Sequence, residues 1–320
     1  MNKMTLKAGF FAALCGAAGV AHADGENIAV FTKNLTNPYF QSVRLGAENA
    51  AKQMHASITN YVPTKPDSIP EQMSQIDDVI VKKPSAVVFV PVDFKAMGPG
   101  VAKLNAAKIP TVNIVDKAQS GNFVAFVGAS DYQIGLQTAR YLFKAMGGKG
   151  SIIILEGVRG TSTSDERMRG FHDALKEAPG IKVLSTQPGN YQRLQALQVM
   201  ENLLQTYPKV DGVLAANDAM AIGALDALDG ANLQAKVVGI NASKEAVDMI
   251  KQGKLLASGD YSGFKQGCIG AMAALRSLRG QPVPRDIALK TEVVTSANYQ
   301  QFDVAPDKLS CPTWADATGQ

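Results

Sequence analysis

The stretch Ile28-Ala29-Val30-Phe31 is followed at once by Thr32-Lys33-Asn34-Leu35-Thr36-Asn37-Pro38-Tyr39-Phe40. The first four residues form a short apolar run typical of a buried strand, and the residues after the stretch repeat apolar positions at helical spacing. Asn37 before Pro38 predicts a helix N-cap with proline in the first helical position. Ligands of open parallel α/β sheets bind where a strand ends and a helix begins. The stretch is therefore either half of a binding site or an ordinary turn in which its two aromatic rings pack together.

The first 23 residues form a predicted secretory signal. Two lysines precede an apolar run over residues 8–20, and Ala21-His22-Ala23 is a small-x-small cleavage site. The run is shorter than the roughly 20 residues that span a bilayer, and Cys15 follows a leucine where a lipoprotein signal would have a small residue. We therefore expect cleavage after Ala23 and export of a soluble chain.

Length and charge narrow the class of protein. Cleavage would leave 297 of the 320 residues, which exceeds a comfortable single core and predicts two domains. This part holds 30 Lys and Arg against 28 Asp and Glu, a near balance that gives no basis for binding nucleic acid. The remaining cysteines are too few for a metal site, and no cofactor is expected.

Strands and helices alternate along the chain, and the pattern restarts at an offset of 125 residues. Asp93 and Asp218 each end a third strand, and Asp116 and Asn241 each end a fourth. The sequence therefore predicts an α/β fold of two similar doubly wound lobes, each with a parallel sheet. If the lobes face each other, their strand ends meet in one cleft, whose candidate residues are Asn37, Asp116, Arg167, Asn217 and Asn241.

Two cysteines remain after the signal, Cys268 and Cys311. In an oxidising compartment they could form a disulfide that ties the C-terminal tail to a helix. The alternative is a pair of buried thiols.

Six segments, taken together in their order and spacing, point to a known family. They are Ile28-Ala29-Val30, Asn37-Pro38-Tyr39-Phe40, Ile109-Pro110-Thr111-Val112 with Asp116, Gly160-Thr161-Ser162 with Glu166-Arg167 and Gly170-Phe171, Asn217 to Leu225, and Lys251 to Leu255. Over residues 27 to about 295 the chain resembles the ribose-type periplasmic sugar-binding proteins, which belong to the ribose/galactose class of ABC-transporter components. Lactose-type repressors share this core, but they begin with a DNA-binding helix-turn-helix where this chain has a secretory signal.

The resemblance implies a type I periplasmic binding protein fold with a three-segment hinge. The expected crossings lie near Ala129-Ser130, Tyr261-Ser262 and Leu289-Lys290. The N-terminal lobe would then contain residues 24–129 and 262–289, and the C-terminal lobe residues 130–261 and 290–320.

Carried over residue by residue, the resemblance also implies a ligand site. Tyr39 and Phe40 would flank a sugar ring from one side and Tyr191 from the other, because aromatic faces suit the C–H faces of a pyranose. Charged and amide groups would bond its hydroxyls. The expected set is Asn37, Tyr39, Phe40, Asp116, Lys117, Arg167, Tyr191, Asn217, Asn241 and Tyr261.

Alternatives remain open at several of these positions. Arg167 could pair with Asp165 or Glu166 on its own helix, Asp116 could be a turn residue, and Tyr191 a surface aromatic. Lys33, Arg159 and Arg193 could line the rim of the cleft or be solvated, and are not assigned to the site. Asp218 is expected to be a helix N-cap with no ligand contact.

Three positions depart from the ribose-type pattern, which has Arg at the place of Lys117, Asp at that of Asn241 and Gln at that of Tyr261. Lysine cannot give the two-pronged bond that arginine gives. These departures argue against ribose, and the expected ligand is another sugar, with a polyol or a sugar acid as alternatives.

The function expected from the resemblance is capture of this ligand in the periplasm by hinge closure, followed by delivery to an ABC import permease of the inner membrane. A chemoreceptor is a compatible further partner. An enzyme is not expected, because the sequence has no nucleophile-elbow motif and Gly157-Val158-Arg159-Gly160 lacks the Lys-Ser/Thr of a phosphate loop.

Overall fold

The computed structural model describes residues 25–305 and 308–319. The predicted signal at residues 1–23 and its cleavage site lie outside the described residues. Among the described helices, none is both long and apolar enough to cross a membrane.

The described residues form two six-stranded sheets flanked by helices, and the predicted two-lobe α/β class is confirmed. The strands are β1 Asn27–Phe31, β2 Ser57–Tyr61, β3 Ala86–Phe89, β4 Thr111–Ile114, β5 Phe126–Ala129, β6 Lys149–Glu156, β7 Gly180–Pro188, β8 Gly212–Ala215, β9 Lys236–Ile240, β10 Ala257–Asp260, β11 Asp286–Leu289 and β12 Glu292–Thr295. The helices are α1 Pro38–Gln53, α2 Ile69–Lys82, α3 Gly98–Ala106, α4 Asp131–Ala145, α5 Ser162–Glu177, α6 Arg193–Thr206, α7 Asp218–Gly230, α8 Lys244–Lys251, α9 Gly263–Leu278 and α10 Trp314–Thr318, and Tyr299–Gln301 form a 3₁₀ turn.

The two sheets have the same strand order. The first runs β11-β5-β4-β3-β1-β2 and the second β12-β10-β9-β8-β6-β7. Corresponding strands follow the 125-residue offset closely, since β1 matches the second half of β6 and β4 matches β9. The sheets differ at one edge, where β11 pairs parallel with β5 but β12 pairs antiparallel with β10. The sequence did not predict β11: the segment just before it, residues 282–285, was expected to be a linker, and the next expected strand was residues 291–295.

The chain passes between the sheets three times: after β5, after β10 and between β11 and β12. The tail then returns to the first lobe. Cys311 is disulfide-bonded to Cys268 of α9, and Asn49 of α1 donates a hydrogen bond to the Leu309 carbonyl at 3.4 Å. The prediction placed residues 290–320 in the C-terminal lobe, and these contacts correct it for the end of the tail.

Close helix contacts place the residues that begin α1 and α5. A Cβ atom at Gly267 of α9 would lie 1.9 Å from the Val43 carbonyl oxygen of α1, and one at Gly135 of α4 would lie 2.7 Å from the Arg167 carbonyl oxygen of α5. Since no real Cβ approaches backbone so closely, glycine is what lets each helix pair pack tightly. The N-terminal ends of α1 and α5 are thereby fixed at the cleft.

Candidate functional site

A buried cavity lies between the lobes, at the carboxyl ends of the parallel strands, as expected for this sheet type. The volume open to the centre of a water-sized sphere is about 50 Å³, roughly three to five times what one water needs. Nine of the ten residues predicted to bind ligand line it, and Lys117 does not. The lining residues are Lys33, Asn34, Asn37, Tyr39, Phe40, Asp67, Val92, Val115, Asp116, Val158, Thr161, Thr163, Arg167, Tyr191, Asn217, Asn241 and Tyr261.

The first lobe contributes an ion pair. Lys33, two residues after β1, places its Nζ 2.8 Å from Oδ2 of Asp116, which follows β4. Both side chains are buried. Burial lowers the pKa of Lys33, but nearby carboxylates, Asp116 first and then Asp67, outweigh it and raise the pKa above its usual value. Lys33 is therefore held as a cation inside the cleft.

The second lobe contributes a different ion pair. Nε of Arg167 donates to Oδ1 of Asp131 at 2.8 Å, and Nη1 donates to the Ala216 carbonyl at 2.7 Å. Burial raises the pKa of Asp131 to about 6, against the lowering effect of Arg167 and of the Tyr261 hydrogen bond. Burial would lower the pKa of Arg167, but Asp131 outweighs it and raises that pKa. The pair is thus ionised at neutral pH, and Arg167 pairs with Asp131 instead of Asp165 or Glu166.

Four aromatic rings border the cavity. Tyr39 packs edge-on against Phe40, with ring centroids 5.3 Å apart, and tilted against Tyr261 at 5.9 Å. The Arg167 guanidinium lies 4.6 Å from the Tyr261 ring centroid and 5.9 Å from that of Tyr191. The buried Tyr39 hydroxyl has no hydrogen-bond partner among the described residues. The apolar walls therefore carry an uncommitted hydroxyl, and a cation is stacked on two of the rings.

Three of the four asparagines that line the cavity, Asn37, Asn217 and Asn241, hold its walls in shape. Oδ1 of Asn37 accepts from the Tyr39 backbone N–H at 3.0 Å and caps α1, as predicted. Asn217, and not the predicted Asp218, caps α7 by accepting from the Met220 N–H at 2.9 Å. Asn241 has a φ of 136°, a backbone conformation that favours glycine. That strained turn after β9 holds Asn241 at the cavity.

The lobes are closed on each other in this structure. The Thr163 hydroxyl of the second lobe donates to Oδ1 of Asp116 in the first. At the mouth of the cleft, the Thr36 hydroxyl donates to Oε1 of Gln192 at 3.1 Å. Contacts of this kind form only when the two lobes meet, so the cavity is that of the closed state.

Lys117 lies outside the site, which corrects its predicted role. Its side chain is 64% exposed, its Nζ is 2.9 Å from Asp286 of β11, and it stacks over the Phe126 ring. The chain turns away after Asp116 because Val115 has a positive φ of 68° and the side chain of Asn113 bonds the turn. Lysine therefore stands on the outer edge of the first sheet.

Sequence reasoning missed Lys33, Asp67, Asp131 and Thr163. Lys33 could have been found from its place two residues after a buried strand, beside the asparagines of the same loop. Asp131 begins α4 directly after a chain crossing, and no repeat partner marked it. Among the described residues no group of three or more His, Cys, Asp or Glu could hold a metal ion.

Comparisons of sequence and of structure with known proteins point to the same family. Residues 28–282 match the family model described as periplasmic binding protein domain. The ribose import binding protein RbsB of Haemophilus influenzae is 29% identical over 285 residues, which cover 89% of this chain and 97% of that protein. An ABC transporter periplasmic solute-binding protein from Actinobacillus succinogenes with bound D-allose superposes with a TM-score of 0.82 at 32% identity, covering 86% of this chain and 99% of that one. The myo-inositol-binding protein of Caulobacter, solved with myo-inositol, gives 0.81 at 26% identity, with 86% and 95% coverage.

Proposed function

This chain belongs to the periplasmic binding protein domain family, and we propose that it captures a neutral polyhydroxylated molecule, a monosaccharide or a polyol, in the periplasm. The observation that carries the proposal is the closed cavity itself. It combines aromatic walls with charged and amide groups from both lobes in a space of small-molecule size. Such a lining suits a ring or chain that is apolar on its C–H faces and polar at its hydroxyls.

The charges of the cavity favour a neutral ligand over a sugar acid. Two cations, Lys33 and Arg167, line it, and each is already paired with a buried carboxylate. Asp67 adds a third acidic group near Lys33, and burial raises the pKa of its carboxyl above the usual value against the lowering effect of the Lys33 charge. The sugar-acid alternative assumed that Lys117 and Arg167 are both cations of the cleft and that Asn241 removes a carboxylate, but Lys117 does not line the cavity. A carboxylate ligand would therefore find both cations of the cavity already paired with protein carboxylates.

The paired groups keep capacity for hydroxyls. Each oxygen of a carboxylate accepts more than one hydrogen bond, and a guanidinium has five N–H donors. Arg167 uses two of these donors on Asp131 and Ala216. Charge-assisted bonds to ligand hydroxyls are strong and directional, and a ligand that lacks a hydroxyl would leave buried polar groups unpaired.

Capture is proposed to proceed by hinge closure. Ligand contacts in both lobes stabilise the closed form over the open form, and the differential affinity sets how far the equilibrium moves. Small-angle scattering of the purified mature protein tests this directly. We expect compaction on saturation with ligand, and an unchanged radius of gyration would count against closure.

The relatives named above include an import binding protein and an ABC transporter component. By analogy we propose that the closed form delivers its ligand to an ABC permease in the inner membrane, after the signal is cleaved behind Ala23. A chemoreceptor is a second partner of the same closed form, and no catalytic role is assigned.

The test of the proposed function is a thermal-shift screen of the mature protein against neutral sugars, polyols and the matching sugar acids, followed by isothermal titration of the hits. Binding to the folded state raises the apparent melting temperature. We expect neutral compounds to stabilise and the acids to do nothing at the same concentration. A flat response to the whole neutral panel, or stabilisation by acids alone, would overturn the proposal. Tight ribose binding would contradict the expectation drawn from Asn241 and Tyr261.

A further inference from the structure

We propose that Tyr261 sets the size limit of the ligand and restricts it to five-carbon sugars and five-carbon polyols. This inference rests on the proposed function and deepens it. Tyr261 is the first residue after β10, where the chain crosses between the lobes, and is only 2% exposed. Its ring borders the cavity at the hinge end, beside Tyr39 and Arg167.

The Tyr261 side chain is fixed, so it cannot swing aside for a larger ligand. Its hydroxyl donates to Oδ2 of Asp131 at 2.8 Å and lies 3.3 Å from the Val115 carbonyl oxygen of the first lobe. The Arg167 guanidinium is 4.6 Å from its ring centroid. On the backbone side, Gln266 of α9 donates to the Tyr261 carbonyl at 2.6 Å. Moving the ring would break contacts in both lobes at once.

The same hydroxyl positions the charged pair of the second lobe. Arg167 occupies one oxygen of Asp131, and Tyr261 occupies the other. Asp131 is thereby committed to its protein partners, and its task is to hold the guanidinium toward the cavity. Tyr261 is thus a positioning residue in two respects: its ring limits volume and its hydroxyl helps to orient Arg167 through Asp131.

The cavity is small, with about 50 Å³ open to the centre of a water-sized sphere. Tyr261 is one of its fixed walls, so a ligand enlarged by a hydroxymethyl group on that side would meet the ring. Rejection of a ligand that is too large by rigid walls is a strong form of discrimination, because overpacking forces neighbouring side chains to move.

The experiment uses isothermal titration with three pairs of sugars: D-xylose and D-glucose, L-arabinose and D-galactose, D-ribose and D-allose. In each pair the hexopyranose differs from the pentopyranose by one hydroxymethyl group. We expect the wild-type protein to bind a pentose at least about tenfold more tightly than its hexose partner, the scale on which a pocket discriminates by one small group. In Tyr261→Ala we expect this ratio to fall to about threefold or less, or to reverse.

Tyr261→Phe is the matched variant, because it keeps the ring and removes the hydroxyl. It should preserve the pentose preference while weakening both sugars of a pair by about three- to tenfold, as Asp131 loses one partner. A wild-type preference for the hexoses, or an unchanged ratio in Tyr261→Ala with a normal melting transition, would overturn the size limit and leave the proposed function intact. If Tyr261→Ala does not fold, loss of the pentose preference in Tyr261→Phe overturns it. Absence of binding to every sugar and polyol would instead overturn the proposed function, and the size limit with it.

Discussion

The two lobes present ion pairs to the cleft in different ways. The Lys33–Asp116 pair of the first lobe is completed across the cleft, because Asp116 also accepts a hydrogen bond from Thr163 of the second lobe. The Arg167–Asp131 pair is completed on its own side, by the Ala216 carbonyl and by Tyr261 at the crossing. The second lobe therefore offers an anchor whose partners lie in its own lobe and at the crossing. The first lobe offers a carboxylate whose partners come from both lobes.

These pairs are not copies made by the internal repeat. At the offset of 125 residues, Arg167 corresponds to Ser42 and Lys33 to Val158. The repeat reproduces the strand order and the loops, whereas the charges in those loops are specific to each lobe. Equivalent positions in the two lobes therefore have different roles, and variants in each lobe should distinguish these roles.

The largest effect is expected from the anchor. In Arg167→Met, Asp131 is left buried without its cation, which typically costs about 3–5 kcal/mol of folding free energy. Ligand affinity should fall at least about 100-fold, since charge-assisted donors are lost from the cavity. Urea unfolding and isothermal titration measure the two effects separately.

The double variant Arg167→Met with Asp131→Asn serves as the discriminating control. Removing the unpaired carboxylate should recover much of the stability but none of the affinity. Arg169→Met, two residues along the same helix and paired with exposed Glu166, should bind ligand like the wild type. Recovery of affinity in the double variant would contradict the anchor role.

The sequence patterns predicted the features of this fold that depend on local order along the chain, and they missed those that depend on contacts between distant segments. The alternation of strands and helices and the 125-residue offset predicted both sheets, and Asn37 before Pro38 predicted the cap of α1. The antiparallel pairing of β12 and the presence of strand β11 depend on how the chain crosses between lobes, which local patterns do not contain. Charge pairing across loops is likewise a long-range property, so Lys33 and Asp131 were missed.

Lys117 shows the limit of transferring residue roles from a family resemblance. Its neighbour Asp116 does line the cavity. The positive φ of Val115 turns the backbone there, so the Lys117 side chain points outward and pairs with Asp286. In a tight turn, adjacent residues face opposite directions, and position in a motif does not fix which way a side chain points.

The next effect concerns the tail, which joins the two lobes. Residues 292–295 pair within the second sheet, yet Cys311 is bonded to Cys268 in the first lobe with a sequence separation of 43. Replacing both cysteines by alanine should cost about 2–4 kcal/mol, because the unfolded chain regains the freedom of this loop. Urea unfolding is the measurement, and reductant should shift the wild-type protein in the same direction. Equal unfolding midpoints for the oxidised wild-type protein and the double alanine variant would show that the disulfide does not stabilise the fold.

The folding stability should depend on pH through Asp218, a buried carboxyl of the second lobe. Burial raises the pKa of this carboxyl to about 6, although Ser258 and Ser243 donate hydrogen bonds to it. Between about pH 4 and pH 6 the folded state therefore holds a proton that the unfolded state has lost, so stability falls as pH rises through this window. For a fully buried group the fall is on the order of 2–3 kcal/mol.

Asp218→Asn removes this titration while keeping a side chain that Ser258 and the Ser243 N–H can contact. We expect the stability of the variant relative to wild type to increase from pH 4 to pH 6 and to level off above the folded-state pKa. Unfolding curves in urea at several pH values measure it. A stability difference that stays constant across the window would contradict a raised pKa at Asp218.

The smallest effect compares Lys33, which forms an ion pair with Asp116, and Lys117, which follows Asp116 in the sequence. Lys33→Met removes the buried cation from Asp116 and should weaken ligand binding by about tenfold or somewhat more, since Asp116 then enters the closed state with Thr163 as its main partner. Lys117→Met removes an exposed pair with Asp286, and exposed pairs contribute little. Its affinity should stay within about twofold of wild type. Titration of both variants with the same sugar measures the two affinities. If Lys117→Met loses affinity and Lys33→Met keeps it, the lysine expected from the sequence resemblance is the one that binds ligand. The Lys33–Asp116 pair would then have only a structural role.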